Sequence, residues 1–236
     1  MGRAVARKLM TEGADLALTD ISQTRLSETL ELLSGEFPAR RAVGQRADVT
    51  KANEAGQVCD LAESELGVPG ILVNLVGGIR STQLFTPFLE LAETQWQQTF
   101  DLNLLGSFHL IQRLAPAMLD KGSGRIVNIA SIAFSGEAGQ VDYAAAKAAV
   151  ASMTRSLAAE FAPRITVNCI APGLTRTSVT ERLSKQEQDR LIGLSFDKRM
   201  AEPSETADAV CFFCSGEARF VTGEIMAVSG GVHPHL

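Results

Sequence analysis

Short apolar runs alternate along the chain with longer segments in which apolar residues recur every three or four positions. Such runs predict buried strands, and the helical period predicts amphipathic helices packed against them. The predicted strands cover residues 14–20, 40–49, 71–76, 125–130, 165–171 and 225–228. The predicted helices cover residues 2–13, 22–35, 51–67, 94–121, 142–161, 178–193 and 204–215. This alternation predicts an α/β fold with a doubly wound parallel sheet covered by helices on both faces.

Polar residues and glycines follow the predicted strands at their carboxyl ends, where ligands bind in parallel α/β sheets. Each residue alone has a structural explanation, since acids cap helices and Pro-Gly pairs form turns. Because the fold brings all of these strand ends to one edge, their shared position predicts a ligand site there. The residues are Asp20, Asp48, Asn74, Gly77, Ser131, Pro172 and Gly173.

Composition limits the class of protein. The chain has 236 residues, of which 45% are hydrophobic and 21% charged, which suits one large α/β domain or two small ones. No break in composition favours two, so we expect a single domain over residues 1–236. A net charge of −5 argues against a nucleic-acid surface, and no apolar run approaches the ~18 residues of a membrane span. We expect a cytoplasmic protein that binds neither nucleic acid nor membranes.

The four cysteines are too few and too scattered for a disulfide framework. Cys211 and Cys214 match the C-x-x-C spacing, but they lie in an apolar helical run without a second pair of ligands. We therefore expect reduced cysteines and no metal site.

Tyr143 and Lys147 are four residues apart, which places both on one helix face. A phenol titrates near pH ~10 and exchanges protons at neutral pH only if its pKa falls by about three units. An ammonium ~4 Å away contributes about 1 kcal/mol in water but about 4 kcal/mol at a dielectric of ~20. The pair is therefore functional if a cofactor and a substrate cover it. Otherwise the spacing fits a tyrosine packed on a helix beside a solvated lysine.

The motifs around this pair resemble those of the short-chain dehydrogenase/reductase family, in its compact single-domain type. Tyr143-x-x-x-Lys147 resembles the family's Tyr-x-x-x-Lys motif, and Ser131 matches its catalytic serine. Asn103 matches the asparagine that completes the family's tetrad. The resemblance covers nearly the whole chain and implies a three-layer, Rossmann-like α/β/α fold with these four residues as its catalytic group.

The resemblance also implies a nicotinamide dinucleotide site. The segment from Pro172 to Thr177 resembles the one that holds the nicotinamide, and Asp48 with Val49 resembles the adenine contact. Asp20 lies where an acid bonds the adenosine 2′-hydroxyl and repels a 2′-phosphate, and we expect no basic residue to adjoin it, which predicts NAD rather than NADP. An exposed, helix-capping aspartate is the alternative for this position. The expected contacts are Gly2, Asp20, Asp48, Val49, Asn74, Val76, Gly77, Tyr143, Lys147, Pro172, Gly173, Thr175 and Thr177.

The start of the chain departs from the family pattern. The family opens with a strand and a Thr-Gly-x-x-x-Gly-x-Gly turn, of which this sequence retains Gly2. In the strand order 3-2-1-4-5-6, the first strand lies between the second and the fourth, so its absence predicts a gap in the middle of the sheet. We expect either that Met1 is not the natural start or that the protein that begins there is functionally impaired. A smaller departure is Leu75, which replaces the second residue of the family's Asn-Asn-Ala-Gly segment.

By resemblance, the protein transfers a hydride between NAD(H) and a secondary alcohol or ketone. Tyr143 would exchange the substrate proton, and Lys147 would lower the pKa of Tyr143 and hold the ribose. Ser131 would polarise the carbonyl group, and Asn103 would hold a water. An impaired family member that binds a dinucleotide or serves as a structural subunit is one alternative, and an isomerase or epimerase that uses the same tetrad is another.

The expected substrate loop covers residues 174–200 and mixes apolar and charged residues without an arginine cluster. Residues 199–207 resemble most closely the branch that contains 3-oxoacyl-[acyl-carrier-protein] reductases. Family resemblance further implies a homotetramer built on the helices at 94–121 and 142–162, the second of which is rich in alanine.

Overall fold

A computed structural model of the protein describes residues 1–79 and 83–232. Its helices are α1 Gly2–Thr11, α2 Gln23–Glu36, α3 Ala52–Leu66, α4 Glu93–Lys121, α5 Val141–Phe161, α6 Lys185–Leu194 and α7 Pro203–Cys214. Its strands are β1 Leu16–Asp20, β2 Ala42–Arg46, β3 Ile71–Asn74, β4 Gly124–Ile129, β5 Ile165–Pro172 and β6 Ile225–Val228. Every strand pair is parallel. The predicted α/β class is confirmed.

The strands form two sheets, one with the order β1-β2 and one with the order β3-β4-β5-β6. A cavity of about 870 Å³ is lined by residues of both β1 and β3, the facing edges of these sheets. This is the gap that the sequence pattern predicts in the middle of the sheet. We call it the central cleft.

Helix α1 connects the two sheets by packing with two hydrophobic clusters. Val5 and Leu9 belong to a cluster that includes Val127 of β4. Ala6 and Met10 belong to a second cluster, against which side chains of β1 and β2 pack. Helices α3 and α4 share a third cluster that includes Leu72 of β3. The strands differ in burial, since β4 and β5 are buried at most positions, whereas β1 is only partly buried at all of them.

The boundaries of several elements differ from the predicted ones. The strands predicted at 14–20, 40–49 and 71–76 are shorter, at Leu16–Asp20, Ala42–Arg46 and Ile71–Asn74. The helix predicted at 178–193 is a 3-10 turn, Thr180–Arg182, followed by α6. A new helix begins there because Ser184 and Glu187 form a capping box, in which each side chain accepts a hydrogen bond from the other residue's backbone N–H.

Candidate active site

Ser131, Tyr143 and Lys147 meet beyond the carboxyl end of β4. Ser131 caps a short 3-10 helix, Ile132–Ser135, and its hydroxyl, which accepts a hydrogen bond of 3.2 Å from the Ala133 N–H, lies beside the Tyr143 side chain. One helical turn later, the Lys147 Nζ lies 5.7 Å from the centroid of the Tyr143 ring. This Nζ donates a hydrogen bond of 2.8 Å to the carbonyl oxygen of Ile129, the last residue of β4. Strand β4 and helix α5 thus bring together the three residues that the sequence motif separates.

Burial controls the ionisation of this group. Burial raises the pKa of Tyr143, and the hydrogen bond with Ser131 opposes that rise. Burial also lowers the pKa of Lys147 to about 8, with a smaller opposing effect from Cys169. The expectation that Lys147 lowers the pKa of Tyr143 is therefore not met in this structure. The physical reason is that burial destabilises both charged forms, and the ammonium donates to a carbonyl oxygen instead of to the phenol.

Asn103 on α4 fixes the backbone that follows β3. Its Nδ2 donates to the Gly78 carbonyl at 2.8 Å, and its Oδ1 accepts from the Gly78 N–H at 2.9 Å. A Cβ placed on Gly77 would lie 2.7 Å from Asn103 Oδ1 and 2.8 Å from Lys147 Nζ. Gly77 is therefore the residue type that lets this segment lie against both side chains.

Two buried residues that the sequence motifs do not include connect α4 to α5. Thr99 and Asp142 are 0% and 3% exposed, and the Thr99 hydroxyl donates to the Asp142 carboxylate at 2.7 Å. Thr99 also accepts a hydrogen bond of 2.7 Å from Asn103, through its carbonyl oxygen. The turn that carries Asn103 is thus bonded to the turn that begins with Asp142 and Tyr143. An acid in the first turn of a helix has an ordinary dipole explanation, so the sequence offers no specific signal for this contact.

Asn74 lies in the interior rather than on an open surface. Its Nδ2 donates to Asn128 Oδ1 at 2.8 Å, and Asn128 Nδ2 donates to the Thr154 hydroxyl at 2.9 Å. These bonds connect β3, β4 and α5. Asn74 Oδ1 is buried without a hydrogen-bond partner, and Asn74 lines the central cleft. A buried amide oxygen of this kind costs stability unless a group in the cleft donates to it.

The carboxyl end of β1 carries an ion pair. Asp20 Oδ1 accepts from the Ser22 N–H at 2.8 Å and from Arg25 Nη2 at 2.6 Å. Burial pushes the pKa of Asp20 upward, but the bonds from Arg25 and Ser22 outweigh this effect and hold the pKa below its ordinary value. The expectation that no basic residue adjoins Asp20 is therefore wrong. The first turn of α2 places Arg25, five residues later, against it.

The other expected contacts along the central cleft differ in exposure. Asp48 Oδ1 accepts from the Thr50 N–H at 3.1 Å and from the Thr50 hydroxyl at 2.7 Å, in the turn that precedes α3. Val49 is 3% exposed, and a Cβ on Gly106 of α4 would lie 2.7 Å from its Cγ2. The Val49 side chain is thus part of the core against α4, while Val76 is 39% exposed.

Beyond β5, the backbone runs close to the segment that follows β6. The Gly173 N–H donates to the Val228 carbonyl at 2.9 Å, and a Cβ on Gly173 would lie 2.8 Å from Ser229 Cα. The Thr175 hydroxyl donates to the Gly173 carbonyl at 3.2 Å, and the Thr177 N–H donates to the Thr180 hydroxyl at 2.9 Å. These bonds shape the turn that the sequence predicts at the nicotinamide end.

The expected site residues other than Asn103, which lines neither, line two cavities that share Leu75 and Gly77. A cavity of about 410 Å³, which we call the catalytic cavity, is lined by Gly77, Ser131, Tyr143, Lys147, Pro172, Gly173, Thr175 and Thr177. The central cleft is lined by Gly2, Asp20, Asp48, Val49, Asn74, Val76 and Gly77. The residues expected to bind the nicotinamide end and those expected to bind the adenosine end of a dinucleotide thus line adjoining cavities. Gly77 lines both cavities.

Comparison with known proteins then establishes the family. A family model described as enoyl-(acyl carrier protein) reductase matches residues 1–233. The chain belongs to the short-chain dehydrogenase/reductase family. Within this family, it is 37% identical over 235 residues to the (2S)-[(R)-hydroxy(phenyl)methyl]succinyl-CoA dehydrogenase subunit BbsD of Thauera aromatica, across 98% of this chain and 91% of that one. It is 32% identical over 237 residues to the 3-oxoacyl-[acyl-carrier-protein] reductase FabG of Staphylococcus epidermidis, across 99% and 94% of the two chains.

Solved structures of short-chain dehydrogenase/reductases show the same fold. The crystal structure of a 3-oxoacyl-[acyl-carrier protein] reductase from Brucella melitensis superposes with a TM-score of 0.91 at 31% identity, over 98% of this chain and 86% of that one. A short-chain dehydrogenase/reductase from Brucella melitensis, titled glucose/ribitol dehydrogenase, gives a TM-score of 0.86 at 35% identity, over 98% and 91% of the chains. The chain is therefore an oxidoreductase of this family, which uses nicotinamide dinucleotides.

The residues at both ends of the expected cofactor site fit a dinucleotide. Gly77 and Gly173 line the cavity at one end, and their missing Cβ atoms let the backbone pack closely against Asn103, Lys147 and Ser229 there. Asp20 supplies a carboxylate at the other end. Across residues 1–79 and 83–232, no group of three or more His, Cys, Asp or Glu side chains could hold a metal ion. No helix in the described residues is long and apolar enough to cross a membrane.

Proposed function

We propose that this protein is an NAD(H)-dependent oxidoreductase that interconverts a secondary alcohol and a ketone. The observation that carries the proposal is that Ser131, Tyr143 and Lys147 line one cavity, with the Lys147 Nζ 5.7 Å from the centroid of the phenol ring. The bound nicotinamide would supply or accept the hydride, which is chemistry of the cofactor. The protein would hold the substrate and manage its proton.

In this proposal, Tyr143 and Ser131 both contact the substrate oxygen. The Ser131 hydroxyl would donate to the carbonyl oxygen and stabilise the developing alkoxide, a contribution of about 2–4 kcal/mol for a donor of this kind. The Tyr143 hydroxyl would give its proton to that oxygen during reduction and take it back during oxidation. A phenol whose pKa is raised by burial stays protonated at neutral pH, which is the form that donates a proton during ketone reduction.

Lys147 and Asn103 would position these groups. The buried Lys147 ammonium, 3% exposed, would hold the nicotinamide ribose and add positive charge beside Tyr143. Asn103 would hold the segment at Gly77 and Gly78 against which the cofactor lies, since both of its amide atoms bond the Gly78 backbone. The remaining cofactor contacts would be those at Asp20 and Asp48 and along the turn from Pro172 to Thr177.

An absorbance assay of NADH and NADPH with a panel of ketones, and of NAD and NADP with alcohols, tests this function. We expect turnover with NAD(H), and we expect it to disappear when Ser131 and Tyr143 are both replaced, by Ala and Phe. Absence of turnover with every ketone and alcohol class, in a chain that binds NAD in a calorimeter, would refute the enzymatic proposal.

A second candidate is a dinucleotide-binding or structural subunit without activity of its own. The central cleft supports it, because the cleft separates the β1 end of the expected cofactor site from the main sheet. The name of the Thauera aromatica relative also describes a dehydrogenase subunit. NAD binding without turnover would favour this candidate over the enzyme.

We also propose a cytoplasmic homotetramer of a single-domain chain, assembled through α4 and α5. Phe108 on α4 is 48% exposed and Val141 at the start of α5 is 38% exposed, so both helices present apolar surface. The alanines of α5 allow a second helix to approach closely. Light scattering checks this assembly, and a mass near that of one chain at micromolar concentration would contradict it.

A further inference from the structure

Asp142, which directly precedes Tyr143, carries a buried carboxylate at the start of α5. In the described part of the chain, Asp142 and Lys147 are the two charged side chains that are buried. Asp142 Oδ2 accepts a hydrogen bond of 2.7 Å from the Thr99 hydroxyl and one of 3.4 Å from Gln95 Nε2. Both of these donors are neutral, so their bonds and the positive end of the helix dipole must offset the cost of burying the charge.

The donors to Asp142 lie on one face of α4. Gln95, Thr99 and Asn103 are four residues apart, so their side chains follow one another along the helix. Asn103 Nδ2 donates to the Thr99 carbonyl at 2.7 Å, and its amide also bonds the Gly78 N–H and carbonyl. A series of hydrogen bonds therefore runs from Gly78, in the segment that follows β3, through α4 to the first turn of α5.

Apolar packing connects α4 and α5 farther from the site. Leu110 and Leu114 of α4 belong to the same hydrophobic cluster as Ala158 of α5. At the end of α5 that carries Tyr143, the contact between the two helices includes the polar pair Thr99 and Asp142. A hydrogen bond depends on direction as well as distance, so this pair restricts the orientation of the first turn of α5.

We propose that Thr99 and Asp142 are positioning residues for the reaction, a role that rests on the function proposed above. Their bond sets the Tyr143 hydroxyl relative to the segment at Gly78, which Asn103 holds and against which the cofactor would lie. Tyr143 handles the substrate proton and the cofactor handles the hydride, so their relative position controls both transfers. A misplacement of about 1 Å can reduce such a rate by about 100-fold.

An ordinary structural bond between two helices is the alternative role for this pair. Loss of a buried hydrogen bond lowers the melting temperature whether or not the site is affected. A structural role alone would leave kcat and the placement of Tyr143 unchanged wherever the variant is folded. These two readouts therefore separate positioning from stability.

Four single variants test the proposal with any ketone that the wild type reduces. Thr99→Val removes the hydroxyl donor but keeps the Asp142 carboxylate, and we expect kcat to fall by about 10–100-fold. Asp142→Ala should lower kcat by at least as much. Thr99→Ser and Asp142→Asn keep a donor and an acceptor for the same bond, so kcat should stay within several-fold of the wild type. The double variant Thr99→Val, Asp142→Ala should be no slower than Asp142→Ala, since both changes remove one bond.

The placement of Tyr143 can be measured without turnover. The chain contains one tyrosine, so tyrosine with an isotope-labelled ring gives NMR signals from Tyr143 alone. We expect these signals to shift in Thr99→Val and to keep their wild-type positions in Thr99→Ser. Rates and spectra are recorded well below the melting temperature of each variant.

Asn168→Ala is the control for the loss of buried polar bonds away from the site. Asn168 is buried and lines neither cavity. Its Nδ2 donates to the Val221 carbonyl at 2.8 Å, and its Oδ1 accepts from the Glu224 N–H at 3.0 Å. This variant should have a lower melting temperature, with the kcat and the Tyr143 ring signals of the wild type.

The possible failures are distinguishable. Wild-type kcat and wild-type ring signals in Thr99→Val would overturn the proposal, and so would a fall in kcat without a change in the ring signals. If Asp142→Asn is as slow as Asp142→Ala, the charge matters rather than the bond, and the positioning role is wrong. A wild type that turns over no ketone refutes the proposed function, while the ring signals of Thr99→Val still decide whether this bond places Tyr143.

Discussion

The carboxyl ends of β4 and β1 differ in how firmly they hold their polar side chains. Near β4, Lys147 and Asn103 are 3% and 2% exposed, and each is hydrogen-bonded to backbone. At β1, the side chain of Asp20 is 34% exposed, and its partner Arg25 is 61% exposed. The first region lies on a four-stranded sheet, whereas the second lies on a two-stranded sheet beside the central cleft.

Because of this difference, we expect the chemistry of the site and its binding of a dinucleotide to depend on different parts of the molecule. The residues Ser131, Tyr143 and Lys147 are held by β4 and α5, and β4 lies in a different sheet from β1. The adenosine end depends on where the sheet of β1 and β2 lies, which α1 and α3 fix by side-chain packing. We therefore expect changes near β4 to act on kcat, and changes at the cleft to act on cofactor affinity and stability.

The largest expected effect comes from filling the central cleft. We predict that joining an apolar strand of about five to seven residues and a glycine-rich turn ahead of Met1 will raise the melting temperature and tighten NAD binding. Burial of its side chains amounts to about 5–10 kcal/mol, at about 1.5–3 kcal/mol each, as an upper estimate. Backbone N–H groups of such a strand could also donate to the orphaned Asn74 Oδ1.

Calorimetric titration with NAD and thermal unfolding of both chains measure this effect. The control is an extension of the same length with charged residues at the apolar positions. It should raise neither the NAD affinity nor the melting temperature. Equal NAD affinity and an equal melting temperature with the apolar extension would show that the cleft is compatible with full function.

Replacing Tyr143, which lies in the region near β4, should give the next largest effect. Tyr143→Phe removes the hydroxyl that exchanges the substrate proton while keeping the ring, so kcat should fall by about 10²–10⁴-fold. NAD affinity, measured by calorimetry, should change little because the ring still packs in place. Full activity in this variant would remove the proposed mechanism.

Sequence patterns were sufficient for those parts of the molecule that follow from periodicity and strand ends. The apolar runs predicted six strands, and the rule that ligands bind at carboxyl ends predicted that Ser131 and Gly77 would lie at one edge of the sheet. The gap between β1 and β3 followed from the missing first strand and the known strand order.

Contacts between side chains distant in sequence could not be predicted in this way. The bond between Thr99 and Asp142 depends on how α4 packs against α5, which no local pattern encodes. The pairing of Asp20 with Arg25 depends on the rotamer of a long, exposed side chain. The break before α6 was visible in the capping box of Ser184 and Glu187, a local signal that the apolar pattern of 178–193 obscured.

We predict that cofactor choice depends on Asp20, which forms the ion pair at β1. Asp20→Asn should lower the preference for NADH over NADPH by about tenfold or more, because it removes the charge that repels a 2′-phosphate and releases Arg25 to bind it. The ratio of kcat/KM for the two cofactors is the measurement. Glu36→Gln, which disrupts the exposed pair with Arg7, is the control and should leave the ratio unchanged. A wild-type preference for NADPH would overturn the NAD assignment itself.

The smallest expected effect concerns pH and the buried Lys147. Burial lowers the pKa of Lys147 to about 8 from its ordinary 10.5, so between these values the unfolded chain binds more protons than the folded one. The contribution of Lys147 to the free energy of unfolding therefore rises as the pH rises through this window. Above pH 10, the raised pKa of Tyr143 makes the free energy of unfolding fall as the pH rises, since the phenol of the unfolded chain loses its proton first.

Thermal unfolding at about pH 7 and about pH 9.5 tests this difference, compared with Lys147→Met, whose side chain stays neutral. We expect the melting temperature of the wild type, relative to that of the variant, to be higher at about pH 9.5 than at about pH 7. The increase should be about 2–4 °C for each kcal/mol that Lys147 adds to the free energy of unfolding. Lys185→Met changes a lysine whose side chain is 80% exposed and should keep the wild-type pH dependence. A constant difference between the wild type and Lys147→Met would show that Lys147 titrates at its ordinary pKa, and that the region beyond β4 is more hydrated than its burial indicates.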